Sequence, residues 1–157
     1  IGENCEIKSS FIEDSEIRNN VQIGPFAHIR PRSIIFDDCK IGNFVEIKNS
    51  YLGNNTKVSH LAYVGDAEIG EHCNIGCGVI FCNYNGKEKF KSSVGNFSFI
   101  GSNANIVAPV KIGDYTFIAA GSTITKDVKD NEFAIARERQ VNKNDFKNPY
   151  KEKFNKN

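Results

Sequence analysis

Aliphatic residues recur along this chain on a beat of six. Ile23, Ile29, Ile35, Ile41 and Ile47 stand six apart, and so do Val94, Ile100, Ile106, Ile112, Ile118 and Ile124. Between the two runs, Leu52, Val58, Val64, Ile69, Ile75 and Phe81 follow at steps of five or six, and Ile1, Ile7, Ile12 and Ile17 precede them. Two positions ahead of each aliphatic sits a small or β-branched residue, such as Cys39, Val45, Ser50, Thr56, Ala62 and Ala67. Most of the 13 glycines directly follow an aliphatic. The beat fits neither a helix nor a simple alternating strand. It fits a short strand and a turn, with the aliphatic and the small residue pointing inward. Three such hexads close one triangular coil of about 18 residues, the unit of a β-solenoid. The predicted fold is therefore all-β, with roughly six to seven coils over residues 1–126. Cys5, Cys39 and Cys73 occupy the small inward position and are expected to pack in the core.

Two interruptions matter. Phe81 to Val94 is a step of thirteen, so residues 82–93 are expected to leave the coil as a loop. Insertions at solenoid corners often carry function. After Ile124 the hexads stop. Residues 127–157 form a polar tail in which Phe133, Ala134 and Ile135 look like a docked segment. Residues 141–157 are expected to be frayed or a short helix.

Composition narrows the function. The chain has 157 residues, which suits one domain. Its 20 Lys+Arg against 19 Asp+Glu leave a net charge of +1, which argues for neither a nucleic-acid nor a membrane partner. No apolar run approaches a membrane span and no signal-peptide pattern opens the chain, so a cytoplasmic location is expected. Five Cys without such a signal are read as reduced thiols. Twelve Phe and five Tyr exclude wholesale disorder. There is no Met, and Ile1-Gly2 starts in mid-pattern, so the sequence reads as a piece of a longer protein.

Coil arithmetic brings distant residues together. Stacked coils lie about 4.8 Å apart. Arg30 and Lys48 hold equal positions one coil apart, a pair of cations that an anion such as phosphate would bridge. Glu46 and Tyr63 are likewise one coil apart, and His60 lies on the coil of Tyr63. A His beside a carboxylate is a general-base arrangement. A metal site is not expected: among His28, His60 and His72 there is no close pair. No P-loop, dinucleotide fingerprint or nucleophile elbow is present.

The segments Ile23-Gly-Pro-Phe-Ala-His-Ile-Arg-Pro31, Gly42-Asn-Phe-Val-Glu-Ile-Lys48, Ser59-His-Leu-Ala-Tyr-Val-Gly-Asp66, Asn74-Ile-Gly-Cys-Gly78, Cys82-Asn-Tyr-Asn-Gly86 and Ile118-Ala-Ala-Gly121 carry a resemblance. They resemble the C-terminal acetyltransferase domain of the bacterial bifunctional N-acetylglucosamine-1-phosphate uridyltransferase / glucosamine-1-phosphate N-acetyltransferase, densely from about residue 23 to 140. The resemblance implies a left-handed parallel β-helix and a homotrimer with active sites between subunits. It implies acetyl transfer from acetyl-CoA to glucosamine 1-phosphate, feeding UDP-GlcNAc, peptidoglycan and lipopolysaccharide synthesis. No metal is implied for that step; Mg belongs to the uridyltransferase domain, which is not in this sequence. Carried residue by residue, His60 matches the general base and Glu46 its orienting carboxylate. Arg30, Lys48, Tyr63, Asn74 and Lys89 match sugar-phosphate contacts. Asn83, Tyr84, Ser102, Ala120 and Arg137 match acetyl-CoA contacts. Cys77 stands where the family usually has Ala, whose backbone N–H faces the thioester oxygen. Arg32 stands where Gly is common, which draws attention to the turn beside Arg30. Two other readings stay open on the residues alone: a hexapeptide O-acetyltransferase, and a non-catalytic trimeric solenoid. Cys77 or Cys82 as an acyl carrier is a rival mechanism.

Overall fold

A computed structural model describes residues 1–147 and 149–152. The hexads form short parallel strands, mostly two or three residues long, and every third strand stacks on the same face. The result is a three-sided prism with faces of eight, seven and six strands, here the first, second and third faces. On the first face Ile23, Ile41, Val58, Ile75, Ile100 and Ile118 stand in register. On the second, Ile29, Ile47 and Val64 do so, and on the third, Ile35, Leu52, Ile69, Val94 and Ile112. These columns form one continuous core, and Ile29, Ile47, Val58, Val64 and Ile106 are fully buried. Each buried aliphatic side chain is worth about 1.5–3 kcal/mol.

The small inward residues sit just inside the corners. Buried Ser50 donates to the Lys48 carbonyl at 2.8 Å, and Thr56 to the Gly70 carbonyl at 2.7 Å. Cys39 and Cys73 use their thiols in the same way, toward Gly53 and Gly95. Both are buried, as their hexad position predicted, and burial pushes the Cys39 thiol up to about 11. Thiols with raised pKa are poor nucleophiles. Cys5, in the first coil, is only partly buried.

The corners turn through left-handed residues, often Asn or Asp but also Leu61 and Arg32, with φ of 49° and 64°. Arg32 takes the place of a flexible Gly yet keeps the turn, its N–H bonded to the Asp14 carbonyl at 2.9 Å. Coil stacking is close enough that some positions admit no side chain. A Cβ on Gly42 would lie 1.8 Å from the Ser59 carbonyl oxygen of the next coil.

Of residues 82–93, expected to form a loop, Cys82 belongs to strand Ile80–Cys82 and Ser92 and Ser93 to strand Ser92–Val94. Between them Tyr84 and Lys89 pair in antiparallel fashion around a tip at Asn85–Glu88. The stacking also runs past residue 126. Val128 bridges to Ile112, and Phe133–Ala134 joins the first face beside Phe117–Ile118. Within the tail, Pro149–Glu152 forms a short helix; Asn148 and residues 153–157 lie outside the described residues. No described helix is long and apolar enough to cross a membrane.

Candidate active site

The candidate residues gather on the second face and along its two edges. On the face itself, Glu46 stands between His28 and Tyr63, and Arg30 lies beside Lys48. Coil arithmetic thus places these neighbours correctly. The charges, however, do not wait for an anion. Arg30 Nη1 donates to Glu46 Oε1 at 2.8 Å, and Lys48 Nζ to Asp66 Oδ2 at 3.0 Å. Each cation has a carboxylate of its own.

The first edge, between the first and second faces, carries His60. The imidazole is exposed, and its Nδ1 lies 2.8 Å from Asn43 Oδ1. The resemblance implies Glu46 as the orienting carboxylate. Within this chain Glu46 is engaged by Arg30 instead, and the partner of His60 is Asn43, the residue in register with it. Following the edge coil by coil, Gly78 N–H donates to the His60 carbonyl, Asn103 N–H to Cys77 and Gly121 N–H to Ser102. Arg137 reaches back to the Ala120 carbonyl. His60, Cys77, Ser102, Ala120 and Arg137 therefore form one line along the prism, with His60 roughly 14 Å from Ala120 at one strand spacing per coil. Four residues assigned from resemblance to one ligand share a single edge.

The opposite edge, between the second and third faces, is built around a residue that the sequence reading did not single out. Asp66 is 6% exposed. Its carboxylate accepts from Lys48 Nζ, Asn49 Nδ2 and Asn83 Nδ2. Burial pushes this carboxyl up, and the bonds from Asn49, Lys48 and Asn83 more than offset that push, leaving it below the usual carboxylate range. Asn83 also donates to the Tyr63 hydroxyl at 3.3 Å. The ring of Tyr63 lies over Gly65, where a Cβ would collide with it. Lys48, Tyr63 and the root of the loop are thus fixed by one carboxylate. Tyr84 and Lys89 lie farther out on that loop, exposed.

Asn74 is not part of either group. It stands on the first face between Lys57 and Phe99. His72 is stacked on Phe97 at 4.9 Å on the third edge, away from His60. Cys77 and Cys82 are partly buried free thiols, and burial raises the Cys82 pKa, which disfavours it as an acyl carrier. Among the described residues, no three His, Cys, Asp or Glu side chains group as metal ligands.

Known proteins resemble this chain in sequence and in fold. Residues 91–126 match the family described as bacterial transferase hexapeptide (six repeats), and residues 11–85 match the GMPPB C-terminal domain. The hexapeptide repeat fits a left-handed β-helix, the hand that the resemblance implied. The bifunctional protein GlmU of Caldicellulosiruptor saccharolyticus is 62% identical over 143 residues, covering 91% of this chain and 31% of that protein. GlmU of Clostridium perfringens is 57% identical over 142 residues, covering 90% of this chain and 31% of that protein. The chain spans about a third of the length of these curated relatives and matches their C-terminal part. Among solved structures, perosamine N-acetyltransferase from Caulobacter crescentus, in complex with CoA and GDP-perosamine, superposes with a TM-score of 0.66 at 25% identity. That superposition covers 74% of this chain and 53% of the other.

Proposed function

We propose that this chain, which carries a hexapeptide repeat and matches the C-terminal part of bifunctional GlmU, moves the acetyl group of acetyl-CoA to the amine of glucosamine 1-phosphate. The observation that carries the reading is the line of His60, Cys77, Ser102, Ala120 and Arg137 along one edge, with the imidazole exposed at its head. An extended pantetheine chain runs along such an edge and delivers its thioester to the imidazole.

The chemistry uses groups already present. His60 takes a proton from the sugar amine as its nitrogen attacks the thioester carbonyl. The Cys77 backbone N–H is assigned to the developing oxyanion, a role that a Cys fills as well as an Ala. The C–N bond forms, the C–S bond breaks, and the proton passes from His60 to the departing CoA sulfur. Holding both substrates in line supplies much of the acceleration. Arg30, Lys48 and Lys89 are assigned to the sugar phosphate, Tyr63 and Asn74 to the sugar, and Asn83 and Tyr84 to the donor. The step requires no metal.

The active assembly is proposed to be a homotrimer. In a single chain, Asn74 and the His60 edge lie on a different side of the prism from Lys48 and the loop, and a neighbouring copy brings the two sets face to face. The half-exposed ladder of Phe99, Phe117 and Phe133, with ring centroids 4.7 and 5.8 Å apart, is an apolar strip that self-association would cover. With acetyl-CoA as donor, the site of action is the cytoplasm.

The test is CoA release, followed as free thiol, with glucosamine 1-phosphate or unphosphorylated glucosamine as acceptor, alongside sedimentation. Acetylation of the phosphorylated acceptor by a trimer is expected, with His60→Ala lowering the rate by about 10²–10⁴-fold. Full activity in His60→Ala, or equal use of glucosamine, overturns the assignment.

A further inference from the structure

The neighbour of His60 is an amide. Strand Lys40–Asn43 and strand Lys57–His60 end together, with Asn43 and His60 in register and Leu61 N–H bonded to the Asn43 carbonyl at 3.0 Å. This coil is one residue short, because Ile47 to Leu52 is a step of five, so residue 60 meets residue 43. Asn43 Oδ1 then lies 2.8 Å from His60 Nδ1, while Glu46 is held by Arg30.

We propose that Asn43 is the positioning residue for His60. The inference deepens the reading of His60 as the base and rests on it. An amide oxygen can only accept. It therefore holds the imidazole proton on Nδ1 and leaves the Nε2 lone pair free for the acceptor amine. The Leu61 corner and the Asn43 backbone fix both partners, so the ring orientation is set before substrate arrives. A neutral partner also suits a proton that must be given back. A carboxylate in its place would stabilise the imidazolium, so the ring would lose its basic form at a higher pH. The other titratable or charged groups on the surrounding elements include Lys57 on the His60 strand, Lys40 on the Asn43 strand, Cys77 one coil on, and, across the corner, Tyr63 and the Glu46–Arg30 pair.

Two variants test this, each read by ¹⁵N NMR of the His60 ring and by the pH profile of kcat. Asn43→Ala removes the acceptor. It is expected to abolish the Nδ1–H preference and to lower kcat by about 10- to 100-fold, through the loss of the ring's orienting partner, with little change in KM. Asn43→Asp restores an acceptor. It is expected to keep Nδ1–H and most of kcat, and to move the acid limb of the profile upward by about one pH unit. An unchanged tautomer and an unchanged kcat in Asn43→Ala overturn the proposal, as does an unmoved acid limb in Asn43→Asp. Failure of the base assignment is distinguishable: His60→Ala would then stay active while the NMR spectra still report whether Asn43 sets the tautomer.

Discussion

The two edges of the second face are made by the same backbone turn and finished in opposite ways. Leu61 and Asp66 both sit at left-handed corners, with φ of 49° and 51°. At the first edge the polar group, His60, stands in solvent with a single neutral partner. At the second, a carboxylate is turned inward and held by three donors, two from the coil before it and one from the coil after. Proton transfer needs a group that substrate can reach. Holding a loop needs one that water cannot reach, because a hydrogen-bonded charge gains strength as the local dielectric falls. The solenoid separates the two tasks by the length of one strand, Tyr63–Gly65.

Removing the two groups one at a time is expected to affect stability very unequally. Asp66→Ala strands Lys48, whose side chain is 12% exposed, and frees Asn49 and Asn83. Breaking a buried pair typically costs about 3–5 kcal/mol, and the residual exposure of Lys48 places this one at about 3 kcal/mol. His60→Ala deletes an exposed ring and is expected to cost less than about 0.5 kcal/mol. Urea denaturation of both variants at one protein concentration gives the ratio directly. Equal losses would mean that the second edge is no more an anchor than the first. The Asp66 variant is also expected to be cut faster by protease within 83–91, since Asn83 loses its tie.

A smaller effect follows from pH. The Asp66 carboxyl is held below its ordinary 3.8 in the folded chain. A depressed carboxyl contributes stability that is present above the unfolded value and is lost as pH falls through the folded one. The contribution is therefore constant from neutral pH down to about pH 4 and declines below that. Asp66→Asn removes it, so the acid limb of stability below pH 4 is expected to be shallower in the variant than in the parent. Parallel acid limbs would show that the carboxylate is not stabilised on folding.

The contrast also marks where the sequence was readable. The six-residue beat located the strands and the inward aliphatics because packing a three-sided core leaves little choice at those positions. Equal hexad positions brought Arg30 beside Lys48 and Glu46 beside Tyr63 for the same reason. What the beat could not tell was which partner a side chain takes once it points outward. Arg30 reaches Glu46, not an anion, and His60 reaches Asn43, because the short step from Ile47 to Leu52 brings residue 43, seventeen positions before, level with residue 60. Asp66 was hidden differently. Asp is common at left-handed corners for its backbone tolerance alone, and nothing local distinguishes it from Asp38, whose corner is similar. The five-residue step from Val64 to Ile69 was the available signal, since a shortened corner leaves less room for water.

Glu46→Gln should produce the smallest effect and the finest discrimination. Arg30 and Glu46 are each more than a third exposed, so their pair is worth about 0.2–1 kcal/mol. A phosphorylated acceptor must share Arg30 with Glu46 or displace it. Neutralising Glu46 removes that competitor, and KM for glucosamine 1-phosphate is expected to fall, by no more than about fivefold, with kcat within about twofold of the parent. If Glu46 were instead the group that orients His60, its loss would lower kcat by more than tenfold and leave the amide at Asn43 without consequence. Steady-state kinetics on Glu46→Gln and Asn43→Ala side by side thus assign the partner of the base to one of two residues three positions apart.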